Sequence, residues 1–176
     1  MLPMQHSAPA GARLFLALWP DERVRRDLSA VRDAWPWPPR TGRVPSASLH
    51  LTLHFLGDVP RRGLPELVAG LDVPAAPFDL RLDRAALWPG GIAVIEPGTV
   101  PAPLLVLHTT LGDALTALGV PLERRPYRPH VTLARRARGA VPPGAAADVA
   151  WAVRGYALIE SGAGARGGYG VVHAWG

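Results

Sequence analysis

Turn residues cut every apolar run in this chain before it can become more than a short strand or one face of a helix. Twenty prolines and 19 glycines punctuate 176 residues, of which 48% are hydrophobic. A chain of this size holds enough apolar surface for a real core, and punctuation this dense divides it into many short elements. No stretch approaches the roughly 18 uncharged apolar residues that suggest a membrane-crossing helix. The start "MLPMQHSAPAGA" has no basic head followed by an apolar run, so it does not resemble a secretory leader. It reads as a disordered tail over residues 1–12, with a single domain of two similar lobes over 13–176.

The periodicities set the order of elements. "RLFLALW" (13–19) reads as a buried strand, and Val24, Leu28, Val31 and Trp35 then recur at helical spacing. "SLHLTLHFLG" alternates as a strand ending at Gly57, and "LPELVAGLD" (64–72) reads as a short helix. Strands are expected over 78–88 and 91–97, around a Pro89-Gly90-Gly91 turn, followed by a helix over 103–119 that stops at Gly119. "HVTLARR" (130–136), a long strand over 149–161 and "YGVVHAWG" complete the chain, with a glycine-rich hairpin or lid over 162–168. Strands joined by short turns, without regular strand–helix alternation, predict an α+β class with mostly antiparallel sheets and helices packed outside.

Charge and cysteine content narrow the partners. The chain has no cysteine, which excludes disulfides and thiolate metal sites and agrees with a cytoplasmic setting. All 19 basic residues are arginine against 14 acids, a net charge of +5. Arginine forks match phosphate, and a basic balance suits an anionic partner. An all-arginine count also reflects GC-rich coding, so the position of each arginine matters more than the total.

Two of the six histidines stand in one frame: His50-Leu51-Thr52-Leu53 and His130-Val131-Thr132-Leu133. Residues two apart on a strand share a face, so each frame presents an imidazole and a hydroxyl on one side and apolar residues on the other. Two such strands across a cleft hold two imidazoles and two hydroxyls. Histidines titrate near neutrality and serve as a general base and a general acid. Threonine hydroxyls donate to phosphate oxygens. No covalent nucleophile stands out, and the His-plus-carboxylate spacing of hydrolytic metal sites is missing. Acid–base attack of water on a strained phosphodiester, such as a 2′,3′-cyclic phosphate, fits this set without a cofactor or metal.

Paired His-x-Thr-Leu frames resemble the two-histidine phosphoesterase superfamily. "RLFLALWP", "HLTLHFLGD" and "YRPHVTLARR", in that order, are similar to the RNA 2′,3′-cyclic phosphodiesterases, also called 2′–5′ RNA ligases. The resemblance implies a bilobal α+β fold with two sheets, outer helices and pseudo-twofold symmetry around a central cleft. It implies hydrolysis of an RNA or nucleotide 2′,3′-cyclic phosphate to a 2′-phosphate, with reversible 2′–5′ ligation at the same site. His50 and His130 then carry the chemistry, one as base and one as acid in either order, with His130 taken as the base, and Thr52 and Thr132 hold the phosphate. The implied partners are RNA ends, tRNA fragments among them, and the enzyme is expected to act as a cytoplasmic monomer. The competing reading is a nucleotide- or RNA-binding module of the same fold without turnover.

Four further residues are candidate substrate contacts. His54 is expected on the face of His50 and Thr52. Arg128, two before His130, is expected on the face of that histidine. Arg135 ends the "LAR" run, and reaches a phosphate if the strand bulges before it. Phe15 is positioned to stack a base, although core packing is its expected role. His108 and His173 are expected to be structural.

Overall fold

The computed structural model describes residues 11–144, 147–163 and 167–176. Among the described residues, ten strands and three α-helices follow one another. They are β1 (Gly11–Leu18), α1 (Glu22–Asp33), β2 (Gly42–Arg43), β3 (Leu51–Pro60), α2 (Leu64–Gly70), β4 (Phe78–Leu82), β5 (Arg84–Trp88), β6 (Ile92–Glu96), α3 (Ala102–Ala117), β7 (Val131–Arg135), β8 (Val149–Val153), β9 (Tyr156–Ser161) and β10 (Tyr169–Trp175). Residues 1–10 of the expected tail, and 164–166 of the glycine-rich loop, lie outside the described residues. Gly11 and Ala12, assigned to the tail from sequence, are instead the first residues of β1 and pair with Pro60 and Val59.

The strands pair antiparallel throughout, which is the expected α+β architecture. The two expected sheets are halves of one eight-stranded sheet, ordered β10-β9-β1-β3-β7-β6-β5, with β2 beside β7. A single Cα pair, Leu51 with Val131, joins the β3 half to the β7 half. Beyond it the two strands part, and β2 takes the place of β3 against β7. A separate ribbon pairs β4 with β8. The run 78–88 is therefore two strands in different sheets, and the run 149–161 breaks at Arg154 and Gly155. A side chain at Gly155 would collide with the Trp175 carbonyl, so that close approach requires glycine.

One face of the sheet meets the helices. Leu14, Leu16, Leu18, Leu51 and Leu53 pack in the main core with Val24 and Leu28 of α1 and Leu104, Leu107 and Leu111 of α3. Asp21 caps α1, its carboxylate accepting the Val24 N–H at 2.8 Å. The helices cross over: α1 leaves the β1 half and packs on β7 and β8, while α3 follows β6 and packs on β3. Phe15 and Ala17 project to the opposite face, with Ala157 and Ile159. That face forms the floor of the cleft.

Candidate active site

His50 and His130 each stand one residue before their strand, at the seam between the half-sheets. Antiparallel pairing of Leu51 with Val131 sets His50 beside Thr132 and Thr52 beside His130 when continued by one residue. The two imidazoles are held alike. His50 Nδ1 lies 2.7 Å from the Ser48 carbonyl, and His130 Nδ1 lies 2.7 Å from the Arg128 carbonyl, two residues upstream in both cases. A carbonyl only accepts, so in each neutral ring Nδ1 carries the hydrogen and Nε2 is the acceptor nitrogen. The Thr52 hydroxyl donates to His50 Nε2 at 3.2 Å.

A bulge in each strand decides which later residues reach the cleft. In β3, Thr52 pairs with Ala17 but His54 pairs with Leu16, so Leu53 is an extra residue. In β7, Thr132 pairs with Val94 but Ala134 pairs with Ala93, so Leu133 is extra. Each bulge reverses the alternation. His54 therefore leaves the face of His50 and Thr52, contrary to expectation. It is buried, with Nε2 donating to the His108 carbonyl at 2.8 Å and its ring 4.0 Å from the His108 ring. Phe55, 49% exposed, takes the cleft position instead. In β7 the bulge buries Ala134 and turns Arg135 onto the cleft face of Thr132.

The cleft has two linked compartments of about 490 Å³ each. One holds His50, Thr52, His130, Thr132 and Arg135, with Arg13, Phe15 and Tyr169 around them. The other extends past Thr52, Phe55 and His130 to Trp88, Tyr127 and His108. Phe15 is 3% exposed, and its ring centroid is 4.8 Å from that of His50. It packs the histidine, as its expected core role requires. Trp19 stacks on the same imidazole at 5.8 Å, and Tyr169 meets it edge-on at 5.3 Å. Trp88 lies 4.3 Å from the His130 ring. Arg128 lines the cleft, but its guanidinium is bound to Glu96 by two hydrogen bonds of 3.0 and 3.1 Å.

Burial pushes both imidazoles below the ordinary histidine range. At His50 the Ser48 carbonyl opposes this, while His130, Arg135 and Arg25 add to it. At His130 the Arg128 carbonyl and the Glu96 charge oppose it, while Arg128 and Arg135 add to it. His50 thus has cationic company only, and His130 has a carboxylate behind it.

The four residues of the paired frames and Arg135 come together as expected from sequence. His108 is in α3, in a stack with His54 and Tyr127, and His173 is an exposed residue of β10 packed on Trp175. Trp88, Phe55 and Glu96 were not foreseen. Superposing "HLTLHF" on "HVTLAR" matches Phe55 to Arg135, a signal that was available. Glu96 ends the apolar run "GIAVIE", where nothing local marks it as buried. No group of three or more His, Asp or Glu residues suited to a metal ion occurs among the described residues. No helix among them is long and apolar enough to cross a membrane.

The comparisons with known proteins agree with this geometry. An RNA 2′,3′-cyclic phosphodiesterase of Thermus thermophilus is 33% identical over 85% of this chain and 81% of its own length. Another, from Escherichia coli, is 35% identical over 75% of this chain and 78% of its own. The crystal structure of Escherichia coli LigT with 3′-AMP superposes with a TM-score of 0.79 at 31% identity, covering 94% of this chain and 97% of that one. The family description "2′-5′ RNA ligase superfamily" matches residues 19–162. With those matches and the paired histidines in place, the chain belongs to the 2′-5′ RNA ligase superfamily.

Proposed function

We propose that the chain hydrolyses RNA or nucleotide 2′,3′-cyclic phosphates to 2′-phosphates by acid–base catalysis between His50 and His130. The observation that carries this reading is the matched tautomer of the two rings, each with Nδ1–H on a backbone carbonyl and Nε2 unprotonated. The relatives' cyclic phosphodiesterase names support it. His130 takes a proton from water as its oxygen bonds to phosphorus. The P–O3′ bond breaks, and His50 gives its proton to O3′. The Glu96 charge strengthens His130 as an acceptor, and the cations near His50 make its imidazolium readier to give. The hydroxyls of Thr52 and Thr132 and the Arg135 guanidinium hold the non-bridging oxygens. With a 5′-hydroxyl in place of water, the same proton transfers open the cyclic phosphate to a 2′–5′ phosphodiester and a free 3′-hydroxyl, and the reverse steps cleave that bond. The setting we propose is a cytoplasmic monomer acting on RNA ends, tRNA fragments among them.

The test is turnover of a 2′,3′-cyclic nucleotide with EDTA present, with the product isomer assigned by phosphorus NMR. His50→Ala and His130→Ala should each lower kcat by about 10²–10⁴-fold. A substrate with sulfur at the 3′ bridging position needs no acid, so it should rescue His50→Ala and leave His130→Ala impaired. Nucleotide binding without turnover in the wild type would move the non-catalytic binding module to the front.

A further inference from the structure

Glu96 is the one carboxylate among the described residues that is fully enclosed, at 4% exposure. It ends β6 and does not face the phosphate compartment. An enclosed carboxylate is costly unless its oxygens are taken up by partners. Here the Arg128 guanidinium grips both oxygens, at 3.0 and 3.1 Å, and Arg84 approaches at 3.5 Å. The same guanidinium lies 4.1 Å from the centre of the Trp88 ring, and the other neighbour of that ring is His130, 4.3 Å away. Arg128 also supplies the carbonyl that accepts from His130 Nδ1. The imidazole is thus held at its nitrogen by the main chain of Arg128 and packed at a 54° tilt against an indole that the Arg128 side chain covers. Both contacts depend on where Arg128 sits, and the Glu96 carboxylate fixes that.

We propose that Glu96 is a positioning residue for His130, acting through Arg128 and Trp88 to fix the tautomer and the direction of the ring. The proposal rests on His130 being a reacting group of the hydrolysis proposed above. It assigns the Arg128 side chain the work of a strut rather than of a substrate contact. The partners of metal-binding histidines offer a guide, because removing such an outer partner costs about 10–100-fold in affinity or activity. The charged groups facing His130 are Glu96, Arg128 and Arg135, with His50 across the cleft and Glu123 and Arg125 lining the same two compartments.

The experiment compares the wild type, Glu96→Gln and Arg128→Met. Histidine-selective nitrogen NMR without substrate reads the tautomer and titration of His130, and steady-state kinetics on a 2′,3′-cyclic nucleotide follow. The wild type should show the Nδ1–H form. Both variants should show a mixed tautomer and a kcat lowered about 10–100-fold with KM nearly unchanged. Their titrations should move in opposite directions. Loss of the carboxylate shifts His130 to lower pH, and loss of the guanidinium shifts it to higher pH. A purely structural role for Glu96 would lower thermal stability and shift the titration by its lost charge alone, with the tautomer and kcat unchanged, which would overturn the proposal. An unaltered tautomer and titration in both variants would overturn the proposal, as would a raised KM at constant kcat in Arg128→Met. Arg128 is largely exposed, so that variant keeps the test open if Glu96→Gln does not fold. A wild type without turnover would count against the hydrolytic reading alone, because the NMR comparison needs no substrate.

Discussion

His50 and His130 share a tautomer but not an electrostatic environment, and a pH profile reads that difference. The proposed reaction needs one ring neutral and the other charged. kcat/KM therefore falls on the acid side as the base is protonated, and on the alkaline side as the acid is lost. Burial lowers both rings from the ordinary value of 6.5, so the maximum of kcat/KM should lie below 6.5. A bound phosphate anion favours the imidazolium, so the kcat profile should sit at higher pH. The two limbs belong to the pair, because each ring feels the other. A kcat/KM maximum above 6.5 would contradict the desolvated pair. At this scale the sequence was a good guide to the histidines and threonines, since a two-residue spacing puts them on one face whatever surrounds them. It misled for His54, because nothing in Leu53-His54-Phe55-Leu56 shows which residue the neighbouring strand will skip. Pairing with Leu16 decides that, and Leu16 is nearly 40 residues away.

The elements that carry the site are set by local chemistry at some points and by distant partners at others. Asp21 caps α1 through the Val24 N–H, and the sequence shows an acid in that turn. Asp21→Ala should cost about 1 kcal/mol, a fall in Tm of roughly 2–4 °C for a domain of this size, with kcat unchanged. A calorimetric scan beside an activity assay checks both, and an unaltered Tm would mean that the cap contributes nothing. The helices and most strands were legible within a few residues, since their apolar periods are strong. β2 was not, because Gly42 and Arg43 have no pattern of their own and are a strand only by lying against β7. The division of 78–88 between two sheets was also hidden, as alternation continues through Asp83 while the chain changes partners. The bulges at Leu53 and Leu133 belong to this class, and they make the halves alike: each turns the third residue after its threonine, Phe55 or Arg135, toward the cleft.

Across the whole molecule, acid should loosen the fold through histidines that do no chemistry. His108 is pressed down to about 4 by burial and by the charge of His54, and burial lowers His54 as well. Between 6.5 and about 4 the unfolded chain binds more protons than the folded one, so stability declines as pH falls through that window. Urea midpoints at about pH 7 and about pH 5 should differ in that direction, and His108→Gln should reduce the difference. Equal midpoints would mean that the stack of His54, His108 and Tyr127 is wetter than its geometry indicates. The two-lobed architecture was readable from the repeated frame, but the joining of the lobes in one sheet was not, because the single pair Leu51 with Val131 leaves no trace in composition or period. The pairing of β1 with β9, and of β9 with β10, sets the order in which a ribosome can complete the protein. His50 leaves the exit tunnel long before the strands that finish its half-sheet, and the Tyr169 ring that closes its edge follows later still. A nascent chain therefore carries His50 with one side of β1 unpaired until β9 is made.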